Sequence, residues 1–201
     1  MGFWHSARYV AAIIVIATFP PSILLWLAIH PLASFWRRLG AVWTYAILGL
    51  PVLGYMVGVW LLRKTLLVTD LGTSVFTMIL AGIAFGAAFL LKRRVVAQLK
   101  FAKLAGIPEL SKESYPGKLL TEGIYSRIRN PRYIEALLWV ISYALFANYL
   151  GAYIVVVLSL PLISFVVRLE ERELRERFGA AYEEYCRRVP RFIPKRRPRN
   201  D

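Results

Sequence analysis

The sequence predicts an all-α fold, that of a polytopic membrane protein with about five transmembrane helices. Hydrophobic residues make up 58% of the 201 residues, and the mean hydropathy is +0.52. A single soluble core of this size cannot bury so much apolar surface. The apolar residues are also grouped into runs close to the length of about 18 residues that a bilayer span requires. Polar and basic segments separate these runs, as loops separate membrane helices.

Three long apolar runs occupy the N-terminal half, at residues 9–29, 42–62 and 75–91. The first run contains Pro20 and Pro21. Because a proline removes one backbone hydrogen bond, we expect this span to be interrupted or bent there.

Two glycine pairs lie four residues apart inside the second and third runs, Gly54 with Gly58 and Gly82 with Gly86. Small residues at this spacing let two helices approach closely in a membrane. We therefore expect all four glycines to lie at helix contacts.

Two shorter apolar runs, residues 133–146 and 150–167, are separated by three residues and predict a helical hairpin. Residues 168–188 follow and predict one charged helix. Its apolar positions recur every three or four residues and would form one buried stripe. They are Phe178, Tyr182, Tyr185 and Val189.

The positive charges predict the orientation in the membrane. With five spans and the N-terminus outside, the outer segments hold Arg8, Arg63 and Lys64, and the other 23 of the 26 Lys and Arg residues lie inside. Positive residues concentrate on the cytoplasmic side of membrane proteins. We therefore expect a multi-pass protein with a cytoplasmic C-terminus.

The net charge of +14 further indicates contact with anionic lipid, above all through the basic tail at residues 195–199. No nucleic-acid-binding motif accompanies the charge, so a nucleic-acid partner is not expected. Cys186 is the single cysteine, which excludes an internal disulfide and a multi-cysteine metal site. His5 and His30 are isolated near the N-terminus, so we expect no metal site. The sequence assigns no oligomeric state.

We divide the chain into a three-helix membrane part at residues 1–104 and a second part at residues 105–201. The second part begins with the loop-like residues 105–122, which are rich in Gly and Pro. Within it, residues 117–133 form the long polar and glycine-containing stretch between two hydrophobic blocks.

The second part also carries five short motifs in order. They are Gly-Ile-Tyr at 123–125, Arg-Asn-Pro-Arg-Tyr at 129–133, Glu-Glu-Arg-Glu-Leu at 170–174, Phe-Gly-Ala-Ala-Tyr-Glu-Glu-Tyr at 178–185 and Val-Pro-Arg-Phe-Ile-Pro at 189–194. In these motifs the chain resembles the isoprenylcysteine carboxyl methyltransferase and phospholipid methyltransferase superfamily. The resemblance covers roughly residues 115–195.

The resemblance implies an integral membrane methyltransferase that uses S-adenosylmethionine and releases S-adenosylhomocysteine. It places the cofactor at the cytoplasmic ends of the last helices and the loop before them. The sequence accordingly has no Gly-x-Gly-x-x-Gly motif of a soluble nucleotide-binding fold. The cofactor-binding residues that the resemblance implies are Gly117, Lys118, Leu119, Leu120, Tyr125, Asn130, Pro131, Tyr133, Glu170 and Glu171.

These residue types suit the chemistry of the cofactor. A glutamate can accept hydrogen bonds from its ammonium or ribose hydroxyls, backbone N–H groups can hold its carboxylate, and aromatic rings can cover its adenine. A simpler interpretation of Glu170 and Glu171 is a solvated acidic start to a cytoplasmic helix. That interpretation would be preferred for an isolated Glu-Glu pair, whereas the accompanying motifs favour the cofactor.

Asn130 followed by Pro131 is also a good helix start, with Asn as N-cap and Pro as first helical residue. In the resembled family this position is often His, and Asn is a frequent substitute. Asn130 lacks a titratable group, so it cannot act as a base. The sulfonium of the cofactor is already activated, and positioning of the two reactants supplies much of the acceleration. We expect no obligatory covalent residue.

The sequence does not identify the acceptor. Three classes are compatible with it: a prenylcysteine-like carboxylate, a phospholipid amine, and a small thiol or amine. The prenylcysteine branch would have an Arg one turn before Glu170, where this chain has Val166. Arg168 lies two residues later, on another part of the helix. Glu135 is an acid near the start of an intramembrane helix, which is costly and often functional, and a side chain that extends to the membrane interface explains it equally well. We hypothesise that Glu135 faces an amine-like acceptor, and Glu135 and Arg168 are the candidate catalytic residues.

Two other classes of protein share some of these sequence features. A non-enzymatic membrane protein would bind anionic lipid or a partner through its basic tail and keep the motifs as a scaffold. A transporter would need buried charges along a pathway, and the apolar runs contain almost none. The membrane methyltransferase, with a lipophilic acceptor that enters from the bilayer, explains the motifs best.

Overall fold

The computed structural model describes residues 2–98 and 119–194. Within these residues the chain forms seven α-helices and a short 3₁₀ turn, Gly123–Ser126. The helices are α1 (Phe3–Ile29), α2 (Ala33–Leu39), α3 (Ala41–Leu66), α4 (Val75–Val96), α5 (Pro131–Ala147), α6 (Leu150–Phe178) and α7 (Ala180–Arg188). The predicted all-α polytopic fold is confirmed.

Four helices, α1, α3, α4 and α6, are long and apolar enough to cross a bilayer. The fifth predicted crossing corresponds to α5, which has 17 residues. At about 1.5 Å per residue it is shorter than a typical bilayer core of about 30 Å. The predicted α5–α6 hairpin is present, since Asn148 and Tyr149 alone separate the two helices.

The helix α1 continues through Pro20 and Pro21, contrary to the predicted interruption. A proline at position 20 leaves the carbonyl of Ile16 without its normal intrahelical donor. The Tyr55 hydroxyl of α3 donates a 2.9 Å hydrogen bond to this carbonyl. The neighbouring helix therefore replaces the missing donor, which is how membrane helices tolerate interior prolines.

One end of the bundle, called here the Arg8 end, joins three chain segments. The Arg8 side chain is buried in the first turns of α1 and donates to the carbonyl oxygen of Ala147 (2.9 Å) and to a carboxylate oxygen of Asp70. The amide of Leu71 donates to the Asn148 carbonyl at 3.0 Å. The N-terminal part of α1, the α3–α4 loop and the α5–α6 turn therefore lie at one face of the bundle.

The centre of the bundle is formed by α1, α5 and α6, and α4 packs most extensively against α5. Small residues such as Ala12, Ala144 and Ala152 are fully or almost fully buried there. In contrast, α3 contacts mainly α1 and exposes most of its large apolar side chains, including Leu50 and Leu61. Exposed apolar surface of this extent is the expected lipid-facing surface of a membrane helix.

The four glycines expected at helix contacts do not lie at such contacts. A Cβ atom placed on Gly54, Gly58, Gly82 or Gly86 would meet no described heavy atom within 4 Å. The helices pack instead through other faces, so spacing alone did not identify the contacting side.

The single charged helix predicted at residues 168–188 is instead divided between α6 and α7. The apolar part of α6 continues directly into charged residues as far as Phe178. Gly179 then adopts φ 53° and ψ −131°, which a residue with a side chain rarely adopts, and α7 begins at Ala180. The predicted apolar stripe is confirmed, because Tyr182, Tyr185 and Val189 form one buried cluster against Phe178.

The short helix α2 was not predicted. It follows α1 after a turn, and its Trp36 indole donates a 2.9 Å hydrogen bond to the Ala28 carbonyl. The predicted features that fall on residues 99–118 and 195–201 lie outside the described residues. They are Gly117, Lys118, most of the loop at 105–122 and the basic tail at 195–199.

Candidate functional site

The opposite end of the bundle, called here the Glu171 end, carries the described residues that follow position 118. The 3₁₀ turn Gly123–Ser126 places Tyr125 against Val95 of α4, where both side chains are buried. Gly123 has φ 58°, and a Cβ atom there would lie 2.5 Å from the Gln98 side chain. The positive φ favours glycine at this position, whereas the flexible Gln98 side chain could move away from a Cβ atom.

Glu171 is the centre of a buried ion-pair network. Its side chain is 0% exposed. Its Oε1 atom accepts from Arg129 Nη2 (3.1 Å), Asn130 Nδ2 (3.0 Å) and Arg191 Nε (3.1 Å), and its Oε2 atom accepts from Arg191 Nη2 at 2.6 Å. Arg175 Nη2 lies 3.9 Å from Oε2. A buried carboxylate needs such partners, because burying it without them costs roughly several kcal/mol of folding free energy.

The same network ties the C-terminal segment to the start of α5. The backbone amides of Arg129 and Asn130 donate to the carbonyls of Pro190 (2.9 Å) and Arg191 (3.2 Å). The Arg129 guanidinium also donates to the Val189 carbonyl at 2.7 Å. The hydrogen bonds that the Arg191 guanidinium donates to Glu171 raise the pKa of Arg191 above its ordinary value. Three segments far apart in sequence are thus held in one place.

Glu170, the neighbour of Glu171, faces a different side of α6. Its Oε2 atom accepts a 2.5 Å hydrogen bond from the Tyr133 hydroxyl of α5. Unlike Glu171, Glu170 is half-buried, and its Oε1 atom is not one of the buried, unpaired polar atoms of the described residues. Glu170 is therefore the member of the pair that is both held in place and accessible.

Tyrosines surround this region and are held in the neutral form. Burial raises the pKa of Tyr125 to about 12. The charge of Arg132 acts in the opposite direction, and the charges of Glu170 and Glu135 act in the same direction as burial. Burial also raises the pKa of Tyr185, whose hydroxyl donates a 2.7 Å hydrogen bond to the Tyr125 carbonyl. At neutral pH these side chains can donate hydrogen bonds but cannot act as bases.

A cavity of about 120 Å³ lies between α1, α5 and α6, and Tyr133, the hydrogen-bond partner of Glu170, lines it. Most of its walls are apolar, and its polar groups come mainly from α5. The lining residues are Phe19, Ser22, Ile23 and Trp26 of α1, Arg132, Tyr133 and Ala136 of α5, and Ile163 and Val166 of α6. Such a cavity suits the apolar part of a ligand whose head lies toward Tyr133.

The other site residues predicted from the sequence lie in different surroundings. Leu119 packs on the Tyr182 cluster, and Leu120 packs on Val95 and Tyr125. Asn130 precedes α5 and Pro131 is its first residue, as predicted, but the Asn130 side chain donates to Glu171 and does not cap the helix. The hydrogen bond to the buried carboxylate outweighs the capping hydrogen bond, because a buried carboxylate without a partner is costly.

The two candidate catalytic residues lie elsewhere. The Glu135 Oε1 atom accepts a 2.8 Å hydrogen bond from the Trp139 indole and lies 4.0 Å from Lys92 Nζ of α4. Two residues along a helix correspond to about 200°, so Glu135 lies on the opposite side of α5 from Tyr133. Arg168 is exposed on α6. Both residues lie outside the set that lines the cavity.

Three residues at this end were missed as site residues by the sequence reasoning. Arg129 and Arg191 hold Glu171, and Arg132 lines the cavity. All three belong to the motifs at 129–133 and 189–194. The motifs could therefore have identified them, whereas their individual roles depend on contacts between distant segments.

Comparison with known proteins agrees with this geometry. A family model described as phospholipid methyltransferase matches residues 76–181, just over half of the chain. The chain belongs to the phospholipid methyltransferase family. The match begins at the start of α4, so it includes the helix that packs most extensively on α5 as well as the motifs at 123–125, 129–133 and 170–174, and it ends within the motif at 178–185.

Two relatives share sequence with part of the chain. Protein-S-isoprenylcysteine O-methyltransferase B of Arabidopsis thaliana is 33% identical over 78 residues, which cover 38% of this chain and 40% of the plant protein. Protein-S-isoprenylcysteine O-methyltransferase of Schizosaccharomyces pombe is 31% identical over 85 residues, which cover 42% of this chain and 36% of the yeast protein. The chain thus matches well under half of the length of each relative.

Proposed function

We propose that this protein is an integral membrane methyltransferase that transfers a methyl group from S-adenosylmethionine to a lipophilic acceptor. The observation that carries the proposal is the held but accessible carboxylate of Glu170 beside an apolar cavity at one end of a membrane bundle. Family membership and the names of the two relatives support the same class of reaction.

The residues at the Glu171 end fit the chemical groups of the cofactor. The Glu170 carboxylate would accept hydrogen bonds from the ammonium or from ribose hydroxyls, and Tyr133 would keep the carboxylate oriented. The apolar and aromatic side chains of Leu120 and Tyr125 would form a wall for the adenine. The predicted contribution of Gly117 and Lys118 to cofactor binding remains part of the proposal.

In this proposal Glu171 supports the site without touching the cofactor. Both of its carboxylate oxygens are engaged by protein groups, and its side chain has no exposed area. Its role is to hold the start of α5, which carries Tyr133, against the C-terminal segment. Positioning residues of this kind determine the geometry of a site although they do not touch the reactants.

The mechanism that follows depends mainly on positioning. When bound, S-adenosylmethionine supplies an activated methyl group, and the chain aligns the acceptor with it and excludes water. The cavity between α1, α5 and α6 would hold the apolar part of the acceptor, which brings its head to the Tyr133 side. The neutral tyrosines nearby would not compete as nucleophiles, because burial keeps Tyr125 protonated.

The proposal includes an orientation. The Glu171 end would face the cytoplasm, where the cofactor is available, and the Arg8 end would face the other side. The supporting observation is the concentration of Lys and Arg in the segments assigned to the inside, including Arg93 and Arg94 at the end of α4. Labelling of single cysteines placed at residues 71 and 127 in sealed vesicles would test the orientation.

The proposed activity is tested by incubating the purified protein with S-adenosylmethionine labelled in its methyl group and a total lipid extract. We expect label in an extractable lipophilic product, at a rate strongly reduced in Glu170→Gln. A matched control is Glu184→Gln, which removes an exposed acid of α7 that pairs with Arg187. A folded protein that neither binds S-adenosylhomocysteine nor labels any product would contradict the proposal. That outcome would favour the non-enzymatic alternative.

A further inference from the structure

A further cavity, called here the α2 cavity, lies at the Glu171 end between the turn that joins α1 to α2, α2 itself and the charged part of α6. Its volume is about 250 Å³, whereas the cavity between α1, α5 and α6 has about 120 Å³. Among the described residues, the two cavities share no lining side chain. The α2 cavity is therefore separate from the proposed methyl-transfer site. Its polar lining residues are His30, Ser34, Arg37, Arg172, Glu173 and Glu176.

Glu173, in the wall of the α2 cavity, has one carboxylate oxygen without a hydrogen bond. Its Oε2 atom forms a 2.9 Å hydrogen bond with His30 Nδ1. Its Oε1 atom is buried and accepts no hydrogen bond within the described part of the chain. Burial of a carboxylate oxygen without a donor is costly, so such an atom indicates a missing partner. Because Glu173 lines the cavity, a ligand in the cavity can supply this donor.

Arg172 lies at the exposed rim of the same cavity. Its side chain is 78% exposed, and its Nε atom donates a 3.1 Å hydrogen bond to Glu176, which is 65% exposed. Exposed ion pairs of this kind contribute little to stability, because water and salt screen the two charges. An anionic group can therefore take the place of Glu176 at small cost. Arg37 of α2 adds a second positive charge to the cavity wall.

Exposed apolar side chains lie next to the α2 cavity. Leu32 and Phe35 are 51% and 53% exposed, and they adjoin the lining residues of α2 along the chain. They follow directly on α1, a helix long and apolar enough to cross a bilayer, which places them at the membrane interface. Apolar side chains at this level contact the region between lipid head groups and acyl chains. A phospholipid fits both the polar cavity and its apolar surroundings.

We propose that the α2 cavity binds the head group of an anionic phospholipid that carries hydroxyl groups, such as phosphatidylglycerol. The phosphate would lie beside Arg172, and a head-group hydroxyl would donate to Glu173. The acyl chains would lie against Leu32 and Phe35. The inference goes beyond the proposed function, because this lipid is bound and not methylated.

The charge of the cavity favours a hydroxyl over an ammonium as the donor. An ammonium head could also donate to Glu173, but it would add a positive charge beside Arg37 and Arg172. A hydroxyl donates without adding a charge. The phosphate of the same head group is attracted by both arginines.

A bound head group would connect α2 to α6. Among the described helices, α2 packs mainly on α3. A lipid that contacts Arg172 and Glu173 of α6 as well as the α2 side of the cavity would add a second attachment. A ligand that binds the folded protein raises its melting temperature with concentration and affinity. Thermal unfolding therefore measures the binding.

The test titrates the purified full-length protein in detergent with short-chain phospholipids that differ only in the head group. Phosphatidylglycerol carries hydroxyls, phosphatidylethanol has the same charge without a hydroxyl, and phosphatidylethanolamine carries an ammonium. From the melting temperatures we expect phosphatidylglycerol to bind about 10-fold more tightly than phosphatidylethanol, the effect of one hydrogen bond to a charged group. Phosphatidylethanolamine should bind more weakly than phosphatidylglycerol. Glycerol 3-phosphate, which has no acyl chains, should give no shift at the same concentrations.

Two substitutions locate the binding. Arg172→Gln should weaken both anionic lipids about fivefold, as expected for one basic residue near an anionic head group. Arg187→Gln is its matched control, because Arg187 is also exposed and paired with a glutamate of its own helix, and it should leave the affinities unchanged. Glu173→Met keeps the length of the side chain without its oxygens and should abolish the preference for phosphatidylglycerol over phosphatidylethanol. Glu183→Met, at an exposed acid of α7, should retain that preference.

Four results would overturn the inference. Equal wild-type affinity for phosphatidylglycerol and phosphatidylethanol, or a preference that persists in Glu173→Met, would exclude the hydrogen bond to Glu173. Tightest binding of phosphatidylethanolamine would exclude a hydroxyl donor, and an equal shift with glycerol 3-phosphate would indicate a soluble phosphate instead of a lipid. If Glu173→Met does not fold, equal affinities in Arg172→Gln and Arg187→Gln would exclude the α2 cavity as the site. These measurements need no S-adenosylmethionine, so they are independent of the proposed methyl transfer.

Discussion

The two ends of the bundle are each held by a buried network of arginine and acid, but the buried partner differs. At the Arg8 end the cation is buried, with 3% of its side chain exposed, and its acid Asp70 is 28% exposed. At the Glu171 end the acid is buried at 0%, and the surrounding Arg129 and Arg191 are 10% and 37% exposed. One end buries a positive charge and the other a negative charge.

The two ends therefore differ in role: the Arg8 end joins chain segments, whereas the Glu171 end also carries a candidate binding group. Arg8 donates to the backbone carbonyls of Ala147 and Asn148, to the Thr73 hydroxyl and to Asp70, and so joins the α3–α4 loop to the α5–α6 turn. Glu171 instead gathers side chains from α5 and the C-terminal segment, and its neighbour Glu170 remains half-buried beside a cavity. The Glu171 end thus both joins distant segments and leaves an accessible acid, which is why we assign the function to it.

The largest expected effect is that of Glu171→Ala. Removal of the buried acid leaves Arg129 and Arg191 without their counterion and should lower the free energy of unfolding by about 3–5 kcal/mol. Denaturant unfolding in detergent micelles measures this change. In Glu184→Ala, which breaks an exposed pair, we expect a loss of about 0–1 kcal/mol. Equal losses of unfolding free energy in the two variants would show that the Glu171 network stabilises this end no more than an exposed ion pair does.

A smaller effect is expected for Tyr133→Phe. The variant keeps the ring but removes the hydroxyl that donates to Glu170, so the carboxylate loses its orientation. We expect S-adenosylhomocysteine to bind about 3- to 10-fold more weakly, the range for loss of one modest hydrogen bond. Tyr143→Phe, which removes an exposed hydroxyl of the same helix, is the control and should bind as the wild type does. Identical affinities in the two variants would sink the proposed role of Tyr133.

The Arg8 end should show its own dependence on pH. Burial favours the neutral form of Asp70, but the amide of Gly72 and the Arg8 guanidinium outweigh it, so the pKa of Asp70 is lowered. A lowered pKa in the folded state stabilises the protein above the unfolded value of about 3.9 and loses this contribution as pH falls through the folded value. Asp70→Asn should therefore melt below the wild type at pH 7, with the difference shrinking below about pH 4. A constant difference across this range would refute the ionic contribution, and S-adenosylhomocysteine affinity at pH 7 should be unchanged.

The smallest effect concerns a helix face that belongs to neither end. Because a Cβ atom on Gly86 would meet no described heavy atom within 4 Å, Gly86→Ala should be tolerated. Alanine favours a helix over glycine by up to about 1 kcal/mol, so the melting temperature should stay equal or rise. A clear fall in melting temperature would instead reveal a helix partner at this face.

Much of the fold could be predicted from the sequence, because bilayer spans are determined by local composition. The runs at 42–62 and 75–91 lie within α3 and α4, and the hairpin follows from two apolar runs separated by three residues. The continuity of α1 through Pro20 could not be predicted, since it depends on a hydroxyl from Tyr55 on another helix. Likewise, Gly179 divides the charged segment through a backbone conformation that periodicity does not reveal.

The candidate site could be predicted only in part. The motifs marked Tyr133, Asn130 and the Glu170–Glu171 pair, and the structure brings these residues to one end. The motifs did not distinguish the enclosed Glu171 from the accessible Glu170, because that difference comes from Arg191, which is 20 residues away in sequence. Nor could they show that Glu135 faces α4 while Arg132 lines the cavity.

Glu170 is the accessible acid of the Glu171 end, and the affinity for S-adenosylhomocysteine tests its proposed role most directly. Calorimetric titration of the purified wild type should give measurable binding. Glu170→Gln, which keeps the size of the side chain but removes its charge, should weaken binding at least about 10-fold, as expected for loss of a charged hydrogen-bonded contact. Unchanged affinity in folded Glu170→Gln would contradict the central claim.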